Sequence, residues 1–322
     1  MEHNNINMSL KILDSKSKKF LVTLAIGNKI FKTWKKYSKP SWIEYCKKNN
    51  LGLIVITKDL IEKKNIFWKK ATWQKMLIGD FLKKKYPNKI ENVCYLDTDI
   101  LINPFAPNVF NFHKNNKISV VSMINNLPYD LLSSRKKISY LRNNFYSKKY
   151  PLDSSLFMNH KQIYKYHNLT HQKDFFCAGM FMFNINYFAN DMSKWFFKYK
   201  KNIKTVTGGG DQVHLNYEIF KKNKVKILNY KFQALWIYEI VNKFPFLYDK
   251  KIINKKLLKV CIEKSIIENY FLHFAGSWHE SNMWKIKGIL SKKSLNFYLN
   301  YLKYFKKKPT GKSQGRILPK KS

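Results

Sequence analysis

The sequence predicts an α/β protein whose central sheet is mainly parallel and flanked by helices. Three short apolar runs, each bounded by turn residues, alternate in the first third of the chain with segments whose apolar residues recur at helical spacing. A βαβαβ order needs crossover connections, and right-handed crossovers make the connected strands parallel. Ligands of such sheets bind at the carboxyl edge of the strands.

The first four elements of this pattern are read directly from the residues. We expect strands at 20–26 (FLVTLAI) and 51–57 (LGLIVIT), which are apolar and rich in branched side chains. Between them a helix is expected over 41–48, with Ser41 as its N-cap. A second helix over 71–84 carries aromatic and apolar residues on one face and leads into the third strand.

The third strand is the most informative stretch of the chain. Val93 to Phe105 read VCYLDTDILINPF, an apolar run that ends in two carboxylates. In extended backbone Asp97 and Asp99 lie on the same side while Thr98 points away, so the two carboxylates can converge on one divalent cation. The alternative is that both are loop aspartates that end a strand and turn into Asn103-Pro104.

Three later clusters carry further polar residues. FFCAGMFMFN (175–184) is a strand pattern in which Gly179 would allow a ligand or another backbone to come close. GGGDQVHLNYE (208–218) suits a tight loop that delivers Asp211 to the site, although a simple helix entry capped by Asp211 is equally possible. FLHFAGSWHE (271–280) places His273 in a short apolar strand, where a histidine is usually a hydrogen-bonded core residue. The polar, aromatic segment 125–172 is expected to cover the site.

Composition and charge bound the class of protein. The 322 residues are 45% hydrophobic and 16% aromatic, which indicates a globular chain. The formal charge of +41, from 61 Lys and Arg against 20 Asp and Glu, would attract phosphates, nucleic acid or an anionic membrane, but a biased overall composition explains the lysines equally well.

The N-terminus and the cysteines bear on the expected cellular location of the protein. The polar N-terminus does not resemble a signal peptide, and no run of ~18 apolar residues long enough to cross a membrane is present. The four cysteines are far apart in the sequence and indicate neither a disulfide framework nor a zinc site. We expect a cytoplasmic protein, with peripheral membrane contact as an option. The predicted organisation is a flexible segment at 1–18, one domain at 19–290, and a helix followed by a basic disordered tail at 291–322.

In the order of these motifs the chain resembles the GT-A glycosyltransferases of the group that includes glycogenin and the bacterial lipopolysaccharide galactosyltransferases (family 8-like). The resemblance spans about residues 19–285 and rests on ATWQKMLIGDFL, YLDTDILI, FFCAGMFMFN, GDQVHLN and LHFAGSWH. It implies a GT-A, Rossmann-like nucleotide-diphospho-sugar transferase fold. It also implies transfer of a hexose from a nucleotide sugar, usually a UDP-sugar, to a glycan, glycolipid or protein acceptor.

The resemblance also implies roles for individual residues. Mn²⁺ or Mg²⁺ would be bound by Asp97, Asp99 and His273, and an imidazole ligand favours Mn²⁺. Asp97 would also lie near the donor ribose. Asp211 and Gln212 match the Asp-Gln pair on the sugar side of the site, which is typical of members that retain anomeric configuration. The donor would further contact the following residues: Lys75, Ala178, Gly179, Gly276 and His279.

The chain departs from the family pattern in two places. Cys177 stands where an Asn commonly contacts the donor sugar. SWHE from Ser277 replaces the usual Lys-Pro-Trp, which removes a lysine that binds diphosphate and leaves His279 or Lys285 as substitutes. Three tryptophans could offer apolar faces to a sugar ring, although most tryptophans belong to the core: Trp236, Trp278 and Trp284.

Two other functions remain open at this point. A haloacid dehalogenase-type phosphatase also has a DxD motif directly after a strand of its active site. However, Leu101 stands where that motif has Thr or Val, and the motif normally follows the first strand of the fold. A nucleic-acid-binding protein would use the +41 charge with 24 Phe and 20 Tyr, yet no recognition motif supports it, so nucleic acid is an unlikely partner. The basic segment 306–322 could touch anionic lipid or have no role.

Overall fold

The computed structural model describes residues 8–146, 154–206, 208–276 and 278–306. The chain divides into two compact units, Met1–Lys287 and Gly288–Ser322. In the first unit the strands are β1 (Ser9–Leu13), β2 (Lys19–Leu24), β3 (Gly52–Ile56), β4 (Asn92–Leu96), β5 (Ile100–Ile102), β6 (Ile118–Ser122), β7 (Phe176–Asn184), β8 (Val225–Ile227), β9 (Ala234–Leu235) and β10 (Phe271–His273).

Helices connect these strands and cover the sheet. In the first unit they are α1 (Asn28–Tyr37), α2 (Lys39–Asn49), α3 (Ala71–Gln74), α4 (Ile78–Lys85), α5 (Leu131–Phe145), α6 (Ser154–Phe157), α7 (His160–Tyr166), α8 (Ile185–Lys198), α9 (Gln212–Lys221), α10 (Trp236–Lys243) and α11 (Lys255–Glu268). The second unit contains α12 (Lys292–Lys306), within the segment where a C-terminal helix is expected. The predicted basic tail after that helix lies outside the described residues.

Seven of the described strands form the central sheet, in the order β1-β3-β2-β4-β7-β6-β8. Strands β3, β2 and β4 are parallel neighbours, as the βαβαβ pattern predicts. Strands β1 and β7 run in the opposite direction to their neighbours, so five strands share one direction. The predicted α/β class with a central sheet flanked by helices is confirmed. A second, smaller sheet has the order β5-β10-β9.

Both faces of the central sheet are buried, which explains why its strands read as continuous apolar runs. In β2 and the residue after it, successive side chains enter opposite layers of the core. Phe20, Val22 and Leu24 belong to one apolar cluster, whereas Leu21 and Ala25 belong to the other. Period-two alternation therefore sends apolar side chains into both layers.

Three details of the predicted elements are corrected. The helix expected at 41–48 begins at Lys39, with Pro40 in its first turn, because proline fits the first helical positions. Ser41 is therefore not the N-cap; its hydroxyl donates to the carbonyl of Ser38. The helix expected at 71–84 is interrupted by a 3₁₀ turn at Lys75–Leu77. Part of the segment predicted to be flexible pairs with β3 as strand β1.

Two further features bear on the sequence-based expectations. All four cysteines are buried with free thiols. No helix of the described residues is long and apolar enough to cross a membrane. The limits proposed for the main domain, 19–290, stay a prediction.

A buried histidine on α9 is expected to make the fold sensitive to acid. The ring of His214 packs against Trp73 and Tyr199, and its Nδ1 has no hydrogen-bond partner among the described residues. Burial, followed by the charges of His167 and Lys198, lowers the pKa of His214 to about 4. Protonation of His214 is therefore more favourable in the unfolded chain than in the folded protein.

We expect His214→Phe to reduce the loss of stability in acid. Because the folded pKa lies below the unfolded one, the wild type pays no penalty above about pH 6.5 and loses up to about 3 kcal/mol as the pH falls towards 4. The melting temperatures of wild type and variant should thus diverge between pH 7 and pH 4.5 in favour of the variant. Parallel curves over that range would show that His214 is not responsible.

Candidate metal centre

Two carboxylates and one imidazole meet at the carboxyl end of β4. Asp97 and Asp99 lie between β4 and β5, and His273 ends β10, which pairs with β5 so that His273 is opposite Ile100. The His273 Nε2 atom lies 3.3 Å from Asp99 Oδ1 and 3.9 Å from Asp97 Oδ2. One ligand atom from each of the three residues lies within 4.8 Å of the other two.

These three residues fit a divalent metal ion. Asp99 Oδ1 is buried, and its contact with His273 Nε2 at 3.3 Å is not a well-aligned hydrogen bond, so this oxygen remains suited to bind a cation. Carboxylate oxygens suit Mg²⁺ and Mn²⁺, and the imidazole of a buried histidine moves the preference towards Mn²⁺. The outer ring nitrogen of His273, Nδ1, lies 3.6 Å from Cys177 Sγ and 3.2 Å from the Gln233 amide nitrogen, which fix the orientation of the ring.

A buried lysine lies between two carboxylates of the site. Lys75 is on the 3₁₀ turn before α4, and its ammonium donates to the carbonyl of Ala178 at 2.8 Å. The same ammonium lies 3.4 Å from Asp211 Oδ2 and 3.9 Å from Asp97 Oδ1. Burial lowers the pKa of Lys75, but the charges of Asp211 and Asp97 outweigh burial and raise it, so Lys75 stays charged.

Asp211 faces this lysine and does not cap its helix. It occupies the N-cap position of α9, yet its side chain makes no capping hydrogen bond, and Oδ2 has no hydrogen-bond partner among the described residues. A simple helix entry therefore does not account for Asp211. Burial raises its pKa to about 6, which Lys75 opposes and the charge of Asp97 reinforces.

The glycine-rich loop before α9 is held by α3 and the residue before it. Gly208 and Gly209 have positive φ, which glycine adopts without strain. Lys70 Nζ donates to the carbonyl of Gly208 at 2.6 Å, and Trp73 Nε1 donates to that of Gly209 at 2.9 Å. These bonds fix the loop that brings Asp211 to the site, as the sequence predicts.

Gly179 allows strand β7 to lie directly against the side chains of Asp97 and His273. Its carbonyl accepts a hydrogen bond from the backbone N–H of Asp97 at 2.8 Å. A Cβ atom at this position would overlap Cε1 of His273 and lie 2.8 Å from Asp97 Oδ2. The predicted close approach at Gly179 is present, and the neighbour is a side chain of the site.

We expect Gly179→Ala to weaken Mn²⁺ binding by roughly 10- to 100-fold, because the new methyl group displaces the His273 ring from its position. Isothermal titration with Mn²⁺ measures this change. Gly27→Ala is a suitable control, since an added Cβ there meets nothing within 4 Å, and only the positive φ of Gly27 opposes the substitution. It should lower stability and leave the affinity for Mn²⁺ unchanged; equal affinities in all three proteins would contradict the expectation.

A cavity of about 680 Å³ opens from the cluster. Nine residues singled out from the sequence line it: Lys75, Asp97, Asp99, Ala178, Gly179, Asp211, Gln212, His273 and Gly276. The segment 125–172 contributes Arg135, Arg142, Leu156, Met158, His160 and Ile163, so it borders the site as expected. Trp278, one of three tryptophans considered for sugar contact, also lines the cavity.

The two proposed substitutes for the missing lysine are not at this cavity. His279 is exposed, does not line the cavity, and packs against Tyr146, because it follows Trp278 in a turn that directs it outward. Lys285 borders a separate groove beside α1 and hydrogen-bonds Asn282. Trp236 and Trp284 are buried in aromatic packing and do not line the cavity.

Sequence reasoning missed three residues of the site. Tyr95 donates its hydroxyl to Asp97 Oδ1 at 2.6 Å, and its position two residues before Asp97 on the same strand face could have indicated this. Arg135 and Arg142 line the cavity from α5. Their segment has weak periodicity, so no sequence signal gave their direction.

Comparison with known proteins gives structural likenesses only. No family model matches the chain, and no curated protein matches it. Among solved structures, it is similar to a glycosyltransferase involved in glycosylation of the major capsid of PBCV-1 (11% identity, 83% of this chain and 97% of that one, TM-score 0.47). It is also similar to the WbbM bifunctional glycosyltransferase (12%, 89% and 52%, 0.47) and to the galactosyltransferase LgtC with donor and acceptor sugar analogs (13%, 87% and 94%, 0.43).

Identities and TM-scores this low do not carry a function over to this chain. The fold and the site define an α/β protein with a candidate divalent-metal centre at the carboxyl edge of its central sheet, beside a large cavity.

Proposed function

We propose that this protein is a metal-dependent glycosyltransferase of the GT-A type that uses a nucleotide-diphosphate sugar, with a UDP-sugar as the first choice of donor. The observation that carries the proposal is the meeting of Asp97, Asp99 and His273 in the lining of a cavity of about 680 Å³. A cavity of this size accommodates a nucleotide sugar. A cation held at its edge would lie where a diphosphate can reach it.

The metal site would serve departure of the nucleoside diphosphate. Asp97, Asp99 and His273 would hold Mn²⁺, which when bound acts as a Lewis acid on the diphosphate oxygens. The Lys75 ammonium lies 3.9 Å from Asp97 and 3.4 Å from Asp211, so its charge holds both carboxylates in position. The ligands are therefore arranged before substrate binds, which is the condition for effective electrostatic stabilisation.

Asp211 and Gln212 are our candidates for contact with the reacting sugar. Both line the cavity, and the Asp211 carboxylate is not committed to capping its helix. A negative charge or an amide oxygen close to the anomeric carbon would stabilise the oxocarbenium-like transition state. Together with the resemblance of the Asp-Gln pair, this supports transfer with retention of configuration, to an acceptor that carries a hydroxyl group.

Calorimetric titration of UDP and of GDP, each with Mn²⁺ and with EDTA, tests the donor site. We expect UDP to bind only in the presence of Mn²⁺, and binding to be lost in Asp97→Ala/Asp99→Ala. Absence of nucleotide binding under all conditions would overturn the proposal. Release of phosphate from simple phosphoesters, or tight and steeply salt-dependent binding of nucleic acid, would then favour the two other functions considered from the sequence.

A further inference from the structure

Two arginines form a cationic wall of the cavity that the proposed transfer step does not use. Arg135 and Arg142 are seven residues apart on α5, so they lie on the same face of that helix, and both line the cavity. Neither arginine belongs to a motif of the family resemblance. Both arginines belong to the segment 125–172, which borders the site, whereas the candidate metal ligands Asp97, Asp99 and His273 lie at the ends of strands.

Arg142 has its own counter-ion inside the protein. Its Nε lies 3.1 Å from Glu280 Oε1, and both side chains are almost completely buried. The guanidinium also lies 3.9 Å from the centre of the Trp278 ring, and Tyr248 donates its hydroxyl to the same Glu280 oxygen. This arrangement is a structural ion pair that fixes Trp278 at the cavity.

Arg135 has no such counter-ion. It is partly buried, no ion pair of the described residues includes it, and its Nε has no hydrogen-bond partner there. Its guanidinium lies beside the Tyr238 hydroxyl, which gives a neutral neighbour. A planar guanidinium that lines the cavity without a counter-ion among the described residues matches the geometry of a carboxylate or a phosphate.

The surroundings of Arg135 differ from those of the candidate metal ligands. Tyr238 is close to Arg135 and to Cys177, and Cys177 contacts His273. His160 is close to Arg135, and the cavity lining also includes the apolar side chains of Met158 and Ile163. A ligand here would combine an apolar face with one anionic group, which differs from a diphosphate held by a cation.

We propose that Arg135 binds an anionic group, a carboxylate or a phosphate, on the acceptor sugar. This inference rests on the proposed function, because the acceptor is defined by its place beside the donor. It narrows the acceptor from any glycan to a sugar that carries an oxyanion, such as a uronic acid or a phosphorylated sugar. A neutral acceptor sugar lacks the carboxylate or phosphate group that the Arg135 guanidinium would bind.

Ligand-observed NMR with the full chain, Mn²⁺ and UDP tests this proposal with three probes: methyl β-glucuronide, glucose 6-phosphate and methyl β-glucoside. We expect at least one anionic sugar to bind more tightly than the neutral glucoside, and Arg135→Met to weaken its binding about tenfold or more. The preference between the first two probes identifies the oxyanion. Lys136→Met is the control, since Lys136 is the exposed neighbour on the same helix and the substitution is identical.

Three results would overturn the inference: equal binding of the neutral and anionic sugars, undiminished binding of the anionic sugar by Arg135→Met, or no binding of either anionic sugar. UDP binding is recorded for every variant, and the sugars are also titrated without UDP. Failure of the wild type to bind UDP would contradict the proposed function, whereas normal UDP binding with no anion preference would contradict only the role of Arg135.

Discussion

Asp97→Asn/Asp99→Asn is expected to remove Mn²⁺ binding and to lower the proposed glycosyl transfer by about a thousandfold or more. The two carboxylates supply two of the three ligands in the cluster, and a single imidazole does not hold a divalent ion at this geometry. Lewis-acid stabilisation of a leaving diphosphate contributes several kcal/mol, and each 1.36 kcal/mol corresponds to a tenfold change in rate.

Thermal unfolding gives a readout that does not depend on knowing the sugar. A ligand that binds only the folded state raises the melting temperature, so Mn²⁺ should raise that of the wild type and leave that of the double variant unchanged. Asp14→Asn is a suitable control, since Asp14 is exposed and forms a surface ion pair with Lys11. A variant whose melting temperature still rises with Mn²⁺ would show that the ion binds elsewhere.

Lys75→Met is the second substitution with a large expected effect. Removing the Lys75 ammonium leaves Asp97 and Asp211 without their shared cation, and Asp211 is almost completely buried. Removing one partner of a buried ion pair costs about 3–5 kcal/mol, because an uncompensated charge remains in the interior. We therefore expect a large fall in the free energy of unfolding, measured by urea denaturation.

The origin of this loss is tested by a second substitution and a matched lysine. Asp211→Asn in the Lys75→Met background should restore part of the stability, because it removes the buried charge that lost its partner. Lys69 is as buried as Lys75, but its ammonium donates to the carbonyls of Phe67 and Tyr199. Lys69→Met should cost less, and Asp211→Asn should not rescue it. Equal rescue in both backgrounds would rule out a specific pair with Lys75.

Local patterns predicted the parts of this structure that depend on neighbouring residues. The strands β2, β3 and β4 are apolar on both faces, so their sequences identify them within two residues. Asp97, Asp99 and His273 do come together. However, Asp97 to Asp99 form a turn between β4 and β5 instead of extended backbone, so the i, i+2 alternation is not the reason why the two carboxylates meet. Helix starts were harder, as the Lys39-Pro40 start before Ser41 shows.

Contacts between distant parts of the chain were not predictable from local patterns. Sequence reasoning gave Lys75 a place near the donor, but its enclosure between Asp97 and Asp211 depends on how α9 packs against β7. His279 was proposed as a substitute for the lysine that is missing from the family pattern, yet it is exposed and does not line the cavity. Arg135 was given no role from the sequence, yet the packing of α5 places it in the lining of the cavity.

The metal ligands also connect the two sheets of the first unit. The chain passes from β4 in the central sheet to β5 in the small sheet through Asp97, Thr98 and Asp99, and His273 belongs to the strand that pairs with β5. An ion bound by all three side chains would thus be a crosslink between the sheets. Chelation should then increase amide hydrogen exchange in β5 and β10 before it affects β2 and β3, so that nucleotide binding and cohesion of the domain would depend on the same ion.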